Sequence, residues 1–347
     1  MRLSHPDRRH RLDTSAVEIG LSAAIAAVRS DEPVVLTVKA ATGDGGSVDA
    51  LPSGPFSPRE HRTLEGGLRD WVSDQADLTL GYAEQLYTFA DRGRHANPMD
   101  DSPHTVSIGY LALTRPSWPA TSGLNGNHDH STDAAGSNWR SWYDFFPWED
   151  WRRGRPEIFS RVIEPRLAEW AERNEVPGSR SRPVARAERI RMAFGIGGTW
   201  DEERVLDRYE LLYEAGLIEE ARRDGREAAL LWGQLPKLGV SMQYDHRRIL
   251  ATAIGRLRGK IKYRPVVFEL MPDEFTLFEL QKTVEAILGP HLHKQNFRRL
   301  VESAGLVEPT GDVRAKTGGR PAKLFKFRRE VLMERPAPGV RVKAGRM

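Results

Sequence analysis

Three side chains that could hold a metal ion follow one another at helical spacing between Arg69 and Ala76. Asp70, Ser73 and Asp74 stand at positions i, i+3 and i+4, so a helix over this stretch places them on one face. Carboxylates arranged in this way hold Mg²⁺ against a diphosphate and help to generate the water that attacks it. With only two short acids and a hydroxyl, this face is expected to shift such a metal ion or to lose it. An ordinary amphipathic surface helix explains the same spacing, and the stretch alone does not separate the two.

Long basic and amide side chains share one face of a second stretch, Lys294–Ser303. Phe297, Leu300 and Val301 recur at helical spacing and are expected to face inward. The outward positions carry Lys294, Gln295, Asn296, Arg298 and Arg299. Arg pairs with guanine edges or phosphates, and Gln or Asn pairs with adenine, so this helix is a candidate for recognition of DNA. The alternative is a basic helical domain whose charges are only solvated.

The helix before this stretch is predicted to support it. Thr276 is placed to cap its start with Glu279 three residues on, and Gly289-Pro290 ends it. We also include Thr276 among the predicted DNA contacts. The two helices together predict a helix-turn-helix.

A two-stranded wing is predicted after Gly305. Leu306–Pro309 and Lys323–Arg328 alternate like strands, and the loop between them is polar and rich in glycine. The cations on or beside this loop are Arg314, Lys316, Arg320 and Lys323. Such a loop can follow the phosphate backbone, which gives affinity for DNA of any sequence. The stretch Phe275–Phe327 therefore predicts a winged helix-turn-helix.

The distribution of charge supports a polyanionic partner for the C-terminal third. Residues 239–347 carry 22 Lys and Arg against 11 Asp and Glu, a net charge of +11. The other 238 residues carry 30 against 37, a net charge of −7, so the total of +4 hides a polarised chain. Such asymmetry is typical of a protein whose basic end binds nucleic acid.

Composition excludes several other classes of protein. With 347 residues and 39% hydrophobic content, the chain can form two or more ordinary domains. The absence of cysteine excludes disulfides, thiolate zinc fingers and cysteine catalysis. Ile19–Val28 is predicted to be a strand rather than a secretory segment, and no apolar run approaches the roughly 20 residues that span a bilayer. Asn127-His128-Asp129-His130 lacks further ligands at fixed spacing, so no metal site is predicted there.

The stretch Leu51–Asp91 resembles a worn Nudix box. The family pattern is Gly, five residues, Glu, seven residues, then Arg-Glu-apolar-x-Glu-Glu-x-Gly-apolar, on a loop and helix that hold divalent metal against a diphosphate. Gly54 and Glu60 fit the first spacing, and Arg69-Asp70-Trp71 resembles the Arg-Glu-apolar step.

The box departs from the family pattern in its catalytic half. Eight residues rather than seven separate Glu60 from Arg69, and Ser73 and Asp74 stand where two glutamates belong. The resemblance therefore implies a pocket that binds a nucleotide without cleaving it, with no catalytic residue and no dedicated metal site. The rival reading is an active Nudix hydrolase of ADP-ribose or another nucleoside diphosphate derivative, with Mg²⁺ as its metal.

The flanking segments resemble the Nudix-related transcriptional regulators of NAD metabolism, of the NrtR type. Aromatic-rich strands are predicted at Tyr82–Ala90 and His104–Thr114, where YAEQLYTFAD and VSIGYLALT carry the resemblance. Further along, YDHRRILATAIGRLRGK, HKQNFRRLVESAGLVEP and GGRPAKLFKFRR are similar to the linker, recognition helix and wing of those repressors. About half of the chain is covered, and the long uncovered segment is similar to the NadQ-type sub-branch.

The resemblance implies a fold, a partner and an effector. It implies an α+β protein: an N-terminal Nudix-like α/β/α sandwich with a Trp-rich helical insertion, and a C-terminal winged helix. It also implies a cytoplasmic, nucleoid-associated homodimeric repressor that binds a palindromic operator of NAD biosynthesis genes, with NAD, ATP or ADP-ribose as effector, no required cofactor and no membrane. The ligand-binding residues it implies are Gly54, Glu60, Arg69, Asp70, Asp74, Tyr82, Glu84 and Tyr87.

The predicted domain organisation has five parts. Residues 1–15 form a flexible basic arm, residues 16–238 the Nudix-like domain with its insertion at about 115–201, residues 239–264 a linker helix, residues 265–332 the winged helix and residues 333–347 a basic tail. A linker helix capped by Asp245 lies where a ligand signal would pass, although a simple connector fits equally well.

The insertion is rich in aromatic residues. Five of the nine tryptophans fall between Trp118 and Trp151, either to pack a subdomain, which we favour, or to stack on a base. Helices are predicted at Pro156–Arg173 and Glu202–Arg223.

Overall fold

A computed structural model describes residues 17–43, 45–91, 94, 104–116, 138–173, 183–315, 321–334 and 339–340 of the chain. The predicted arm, Trp118, Asn127–His130, Lys316, Arg320 and most of the predicted tail lie outside these residues.

The N-terminal domain is built on a mixed sheet. Its elements are β1 (Val17–Arg29), β2 (Glu32–Ala41), β3 (Ser47–Ala50), β4 (Ser53–Pro55), α1 (Leu64–Ala76), β5 (Tyr82–Phe89), β6 (His104–Leu113) and β7 (Asn138–Ser141). The strand predicted at Ile19–Val28 is confirmed within β1, which pairs antiparallel with β2. β1 pairs in parallel with β6, and β6 pairs antiparallel with the edge strand β5. β7, from the predicted insertion, joins the sheet beside β2.

Helices make up most of the chain between β7 and the C-terminal third. They are α2 (Trp142–Phe145), a 3₁₀ turn (Pro147–Glu149), a π-helical segment (Phe159–Ile163), α3 (Glu164–Glu172), α4 (Pro183–Phe194), α5 (Val205–Glu214), α6 (Glu219–Arg223), α7 (Glu227–Leu230) and α8 (His246–Tyr263). The C-terminal third continues with a 3₁₀ turn (Val266–Leu270), α9 (Leu277–Leu288), α10 (Lys294–Ala304), β8 (Val307–Arg314), β9 (Ala322–Phe327) and α11 (Val331–Glu334).

Alternating side chains give the sheet two packed faces. On one face, Leu21 and Ile25 of β1 pack with Leu68 and Val72 of α1. On the other face, α8 approaches so closely that a Cβ on Gly109 would lie 2.9 Å from the Ile249 side chain. The sheet is therefore covered by helices on both sides, and the predicted α/β/α sandwich is confirmed.

The described tryptophans between Trp139 and Trp151 are buried. Trp142 and Trp148 are almost fully enclosed. Trp148 meets Phe146 edge to face, and Trp151 lies 4.4 Å from Trp200 between ring centroids. These rings pack a core, which confirms the packing interpretation for this part of the insertion.

Two predicted helices differ from the structure. The single helix predicted at Glu202–Arg223 is wrong, because α5 ends at Glu214 and Gly216 adopts a φ of +71° where a Cβ would strike the backbone of Ala229. The helix predicted at Pro156–Arg173 is present but contains a π-helical turn, in which the Glu164 N–H bonds to the Phe159 carbonyl. The next residue, Pro165, has no N–H to complete the α-helical pattern, which explains the irregularity.

The winged helix is confirmed, and it shares its core with the N-terminal domain. Phe275 and Phe325 exchange two backbone hydrogen bonds of 2.9 and 2.8 Å, which attach the start of α9 to the wing. One apolar cluster runs from Leu111 of the sheet through Leu257 of α8 to Val301 of α10. The C-terminal third is therefore packed against the rest of the protein.

Part of the predicted basic tail is also packed. Val340 is fully buried, and its N–H donates to the carbonyl of Ile261 near the end of α8 at 3.1 Å. Among the residues described, no helix is both long enough and apolar enough to cross a membrane.

Candidate nucleic-acid interface and ligand site

The face of α10 that points away from the core is basic and fully accessible. Phe297 and Val301 are buried beneath the helix, as the sequence predicts. All five predicted contact residues of this helix, Lys294, Gln295, Asn296, Arg298 and Arg299, are exposed. Long cationic and amide side chains on one exposed helix face have the reach and chemistry to read the major groove.

The start of the supporting helix α9 is fixed by a capping box. Thr276 Oγ1 accepts from the Glu279 N–H at 3.1 Å, and the Glu279 carboxylate accepts from the Thr276 N–H at 2.8 Å. Glu279 also pairs with Arg314 at the end of β8. The structure thus gives Thr276 a capping role in a largely buried position, and it gives Arg314 a role in tying the wing to α9.

The remaining predicted wing contact within the described residues is Lys323. It lies opposite Val313 in the β8–β9 ladder and is exposed. Lys326, on the same strand, pairs with Glu308 at 3.0 Å. Because side chains three apart on a strand point to opposite faces, Lys323 and Lys326 present their charges on different sides of the wing.

The turn between α9 and α10 is held by two side chains of α9. Glu285 Oε1 accepts from the Leu292 N–H at 2.9 Å, and Gln281 Nε2 donates to the Leu292 carbonyl at 2.9 Å. Gln281 also donates to Glu285 at 2.8 Å. Burial opposes ionisation of Glu285, but these bonds and the neighbouring His291 and Lys282 outweigh it and hold its pKa below the ordinary value. Glu285 is therefore an ionised acceptor at neutral pH.

The C-terminal end of α9 is capped by groups from the insertion and from α8. Tyr143 Oη donates to the carbonyl of Ala286 at 3.0 Å, and Arg258 Nε of α8 donates to the carbonyl of Ile287 at 2.8 Å. Carbonyl groups in the last turn of a helix have no partner within the helix, so groups from outside satisfy them here. The supporting helix is thus bonded to both the insertion and the linker helix.

Arg258 belongs to a buried ionic cluster. Glu149 Oε2 accepts from Arg258 at 2.6 Å and from Arg208 at 2.9 Å, and all three side chains are essentially inaccessible to solvent. Burial by itself would raise the pKa of Glu149, but the two guanidinium groups reverse this effect and lower it. The cluster joins the insertion, α5 and α8 at the base of α9.

Five of the eight predicted ligand residues lie on β4, on α1 or on the loop between them. The Trp71 ring covers Gly54 so closely that a Cβ there would lie 2.2 Å from the ring, and Trp71 Nε1 donates to the Pro55 carbonyl at 2.9 Å. Arg69 pairs with Glu65 at 2.7 Å and donates to backbone carbonyls of the loop before β5. Both arrangements stabilise the box as a structural element.

The acids of the box point to solvent. Glu60, Asp70 and Asp74 are exposed, and Asp70 lies 4.0 Å from His61. No group of three or more acidic or histidine side chains among the described residues is arranged to hold a metal ion.

The other predicted ligand residues lie on β5, and two of them contact α8. Tyr82 Oη donates to Glu84 Oε2 at 2.5 Å, and Lys260 of α8 donates to Tyr82 Oη at 2.7 Å and also binds Glu84. Burial opposes ionisation of Glu84, but these bonds outweigh it and lower its pKa. Tyr87 is exposed near the β5 bulge. The sheet separates Tyr82 and Glu84 from α1, so the predicted set does not form one pocket.

Sequence reasoning missed the residues that connect the two parts, Tyr143, Arg258, Gln281 and Glu285. Arg258 had a detectable signal, because it follows Leu250 and Ile254 at intervals of four on the apolar stripe of α8. A cation in that position indicates a buried partner. The bond from Tyr143 to α9 spans 143 residues and has no local signal.

The fold and these contacts define a class of protein: an α/β/α domain bonded to a winged helix that carries a basic, exposed helix, α10. Residues 267–327 match the family described as the NrtR DNA-binding winged helix domain. The match spans the winged helix, and for this part of the chain it confirms the resemblance to regulators of the NrtR type that the sequence predicts.

Two kinds of relative support this assignment. The ADPR responsive transcriptional repressor NtrR of Acinetobacter baylyi is 42% identical over 90 residues, 26% of this chain and 36% of the relative, so the match spans about a third of the relative's length. The crystal structure of Shewanella oneidensis NrtR complexed with a 27mer DNA covers 91% of this chain and 95% of its own, with a TM-score of 0.51 and 17% identity. A second structure of Shewanella oneidensis NrtR gives a TM-score of 0.50 at 18% identity, over 90% and 95%. At this identity, the structural likeness shows the fold.

Proposed function

We propose that this protein is a ligand-responsive transcriptional repressor, in which a Nudix-like domain senses an adenine nucleotide and a winged helix binds operator DNA. The observation that carries the proposal is the last turn of α9, where Tyr143 and Arg258 bond the helix that supports the recognition helix to the N-terminal part of the protein. A conformational change in the N-terminal part would therefore alter the position of α9 in the helix-turn-helix through these two bonds.

Binding to DNA rests on α10 and the wing. Lys294, Gln295, Asn296, Arg298 and Arg299 meet base edges and phosphates, and the wing cations meet the backbone. Shewanella oneidensis NrtR, which shares the fold, has a structure with DNA. We propose that the protein acts as a homodimer on a palindromic operator, with two winged helices spaced about one helical turn of DNA, or a multiple, apart. Its action is then at the chromosome, on genes of NAD biosynthesis.

The effector we propose first is ADP-ribose, with NAD and ATP as alternatives. The Acinetobacter relative is named as ADPR responsive, and it is similar to this chain over 90 residues. The exposed acids Glu60, Asp70 and Asp74 support binding without hydrolysis, because a hydrolase needs carboxylates that converge on Mg²⁺.

The signal path we propose runs through α8. Its Lys260 binds Tyr82 and Glu84 of β5, and Arg258, two residues earlier, bonds to α9. A ligand that engages Tyr82 or Glu84 competes with Lys260 and so alters how α8 lies on the sheet. Arg258 transmits that displacement to α9 and hence to α10.

The test has two parts, both with the full-length protein. Selection from a randomised duplex library identifies a bound sequence, and the protein is expected to prefer it over a scrambled duplex of the same composition. Incubation with ADP-ribose and Mg²⁺ is expected to leave the nucleotide intact. Failure to select any sequence would refute the DNA-binding proposal, and sustained release of AMP would establish a hydrolase instead.

A further inference from the structure

The start of the recognition helix is not fixed by its own sequence. α9 begins with a complete capping box, but His293, at the cap position of α10, makes no side-chain capping bond. A helix without a side-chain cap frays or shifts its first turn more readily, because its first N–H groups have no fixed partner. Yet the first turn of α10 carries Lys294, Gln295 and Asn296, whose placement decides which bases they reach.

Two side chains of α9 supply the missing constraint. They act on Leu292, the residue just before the cap position, and bond both sides of it: Glu285 accepts its N–H at 2.9 Å, and Gln281 donates to its carbonyl at 2.9 Å. A bond of 2.8 Å between Gln281 and Glu285 fixes the two side chains relative to each other. Three bonds among three residues leave the backbone at Leu292 little freedom to rotate.

Gln281 and Glu285, with their bonds to Leu292, form a clamp that is buried although it lies next to the proposed DNA-binding surface. Gln281 and Glu285 are 6% and 4% exposed, so water does not replace a lost bond easily. Glu285 also contacts His291 and Lys282, each at 3.4 Å, on the solvent side of the turn. The Glu285 carboxylate accepts hydrogen bonds from Gln281 and from the Leu292 N–H, and a charged acceptor makes such bonds stronger.

We propose that Gln281 and Glu285 are positioning residues for sequence recognition: together they fix the backbone at Leu292 and thereby the angle and register at which α10 enters the DNA groove. Neither residue touches DNA. This inference rests on the proposed DNA-binding function and adds that specificity depends on a side-chain clamp inside the supporting helix. It follows that losing the clamp lowers specific affinity while affinity for random DNA, which comes from phosphate contacts, persists.

The test compares Glu285→Ala, Glu285→Gln and Gln281→Ala with the wild-type protein. The probes are the duplex that the wild-type protein selects from a randomised library and a scrambled duplex of the same composition. Glu285→Ala and Gln281→Ala are each expected to lower the ratio of specific to non-specific affinity about tenfold, as expected when a bond that orients base contacts is removed. Glu285→Gln retains an oxygen that accepts from Leu292 and is expected to restore most of the ratio.

The amide variant also separates geometry from charge. If Glu285 acts only as a negative charge near DNA, Glu285→Gln and Glu285→Ala raise affinity for both duplexes alike, and the clamp is refuted. The double variant Gln281→Ala/Glu285→Ala is expected to lose no more than the larger single loss, because the two residues act as one unit. Additive losses would contradict a shared clamp.

Folding and function are controlled separately. Far-ultraviolet circular dichroism and thermal denaturation establish a temperature at which every variant is folded, and both affinities are measured there. An unchanged affinity ratio in folded Glu285→Ala refutes the positioning role. If the wild-type protein selects no sequence, the proposed function fails instead, and the two failures are therefore distinct.

Discussion

Arg258 donates its Nε proton to the carbonyl of Ile287 at 2.8 Å, and this bond joins the linker helix to the last turn of the helix that supports DNA recognition. The same guanidinium binds Glu149 in the insertion at 2.6 Å. Because both bonds are buried, the two helices cannot move apart without exposing or orphaning a charge, which is costly. The linker helix α8 is therefore hydrogen-bonded to the winged helix through α9, and we expect a displacement of α8 to displace α9.

The exposed arginines of α10 should carry specific recognition. We expect Arg298→Ala or Arg299→Ala to weaken binding to the selected duplex by about 1–3 kcal/mol for each base that the arginine reads, with little change in thermal stability since neither side chain packs in the core. Competition binding assays and thermal denaturation measure the two quantities. Arg161→Ala, an equally flexible cation that is 76% exposed in the insertion, is the matched control and should change neither. Unchanged affinity in both α10 variants would place recognition elsewhere.

Lys323 should contribute affinity that does not depend on sequence. Replacement by alanine removes one phosphate contact from the wing, so binding to selected and random duplexes should fall together and the slope of log affinity against log salt should decrease by about one. Lys326→Ala is the control, because Lys326 lies on the same strand but faces the other side and pairs with Glu308. A loss confined to the selected duplex would contradict this assignment of the wing.

The hydroxyl of Tyr143 should carry part of the coupling between ligand and DNA. In Tyr143→Phe, the carbonyl of Ala286 loses its partner, and we expect the factor by which ADP-ribose changes DNA affinity to fall about two- to fivefold, as one hydrogen bond allows. Tyr209→Phe removes a hydroxyl from the same buried core, where the Tyr209 ring lies against Phe146, and should leave the factor intact. Equal effects of the two variants would mean that general loosening of the core, rather than this bond, is responsible.

Stability should fall in acid through the buried cluster around Glu149. Its pKa is lower in the folded protein than in the unfolded chain, so its ionised form stabilises the fold fully above the ordinary glutamate value of about 4.5, and this stabilisation is lost as the pH falls through the folded value. Glu149→Gln should be less stable at pH 7 by about 3 kcal/mol, since two buried guanidinium groups lose their counter-charge. Urea denaturation should show that the difference in free energy of unfolding between the wild-type protein and Glu149→Gln becomes smaller below pH 4.5. A difference independent of pH would contradict an ionised Glu149.

Local signals explain which parts of the fold were predictable. The capping box at Thr276 and Glu279, the stop at Gly289 and the apolar spacing of α10 are each set by residues a few positions apart in the sequence. The structure has all three as predicted. The strand predicted at Ile19–Val28, which lies within β1, was predictable for the same reason. The single helix predicted at Glu202–Arg223 overlooked a local signal, because Gly216 follows the C-cap Ala215 of α5 with the positive φ that is usual for glycine at a helix end.

The residues of the candidate sites also differ in whether a local pattern predicts them. The outward face of α10 followed from periodicity, whereas the predicted ligand residues came from a motif and not from the topology that orients them. Tyr82 and Glu84 share one face of β5. How the strands assemble decides whether that face meets α8 or α1. The clamp at Leu292 and the bond from Tyr143 to α9 exist only in the folded chain.

We expect binding of ADP-ribose and binding of DNA to this protein to be linked by a coupling free energy. We would titrate ADP-ribose into the full-length protein by calorimetry, once alone and once saturated with the selected duplex, and measure the affinity of the duplex with and without the nucleotide. Coupling of about 1–3 kcal/mol predicts that ADP-ribose affinity differs by a factor of about 5 to 150 between the two titrations, and that duplex affinity changes by the same factor. Measurable binding of ADP-ribose with equal affinity in the two titrations would contradict a ligand-switched repressor.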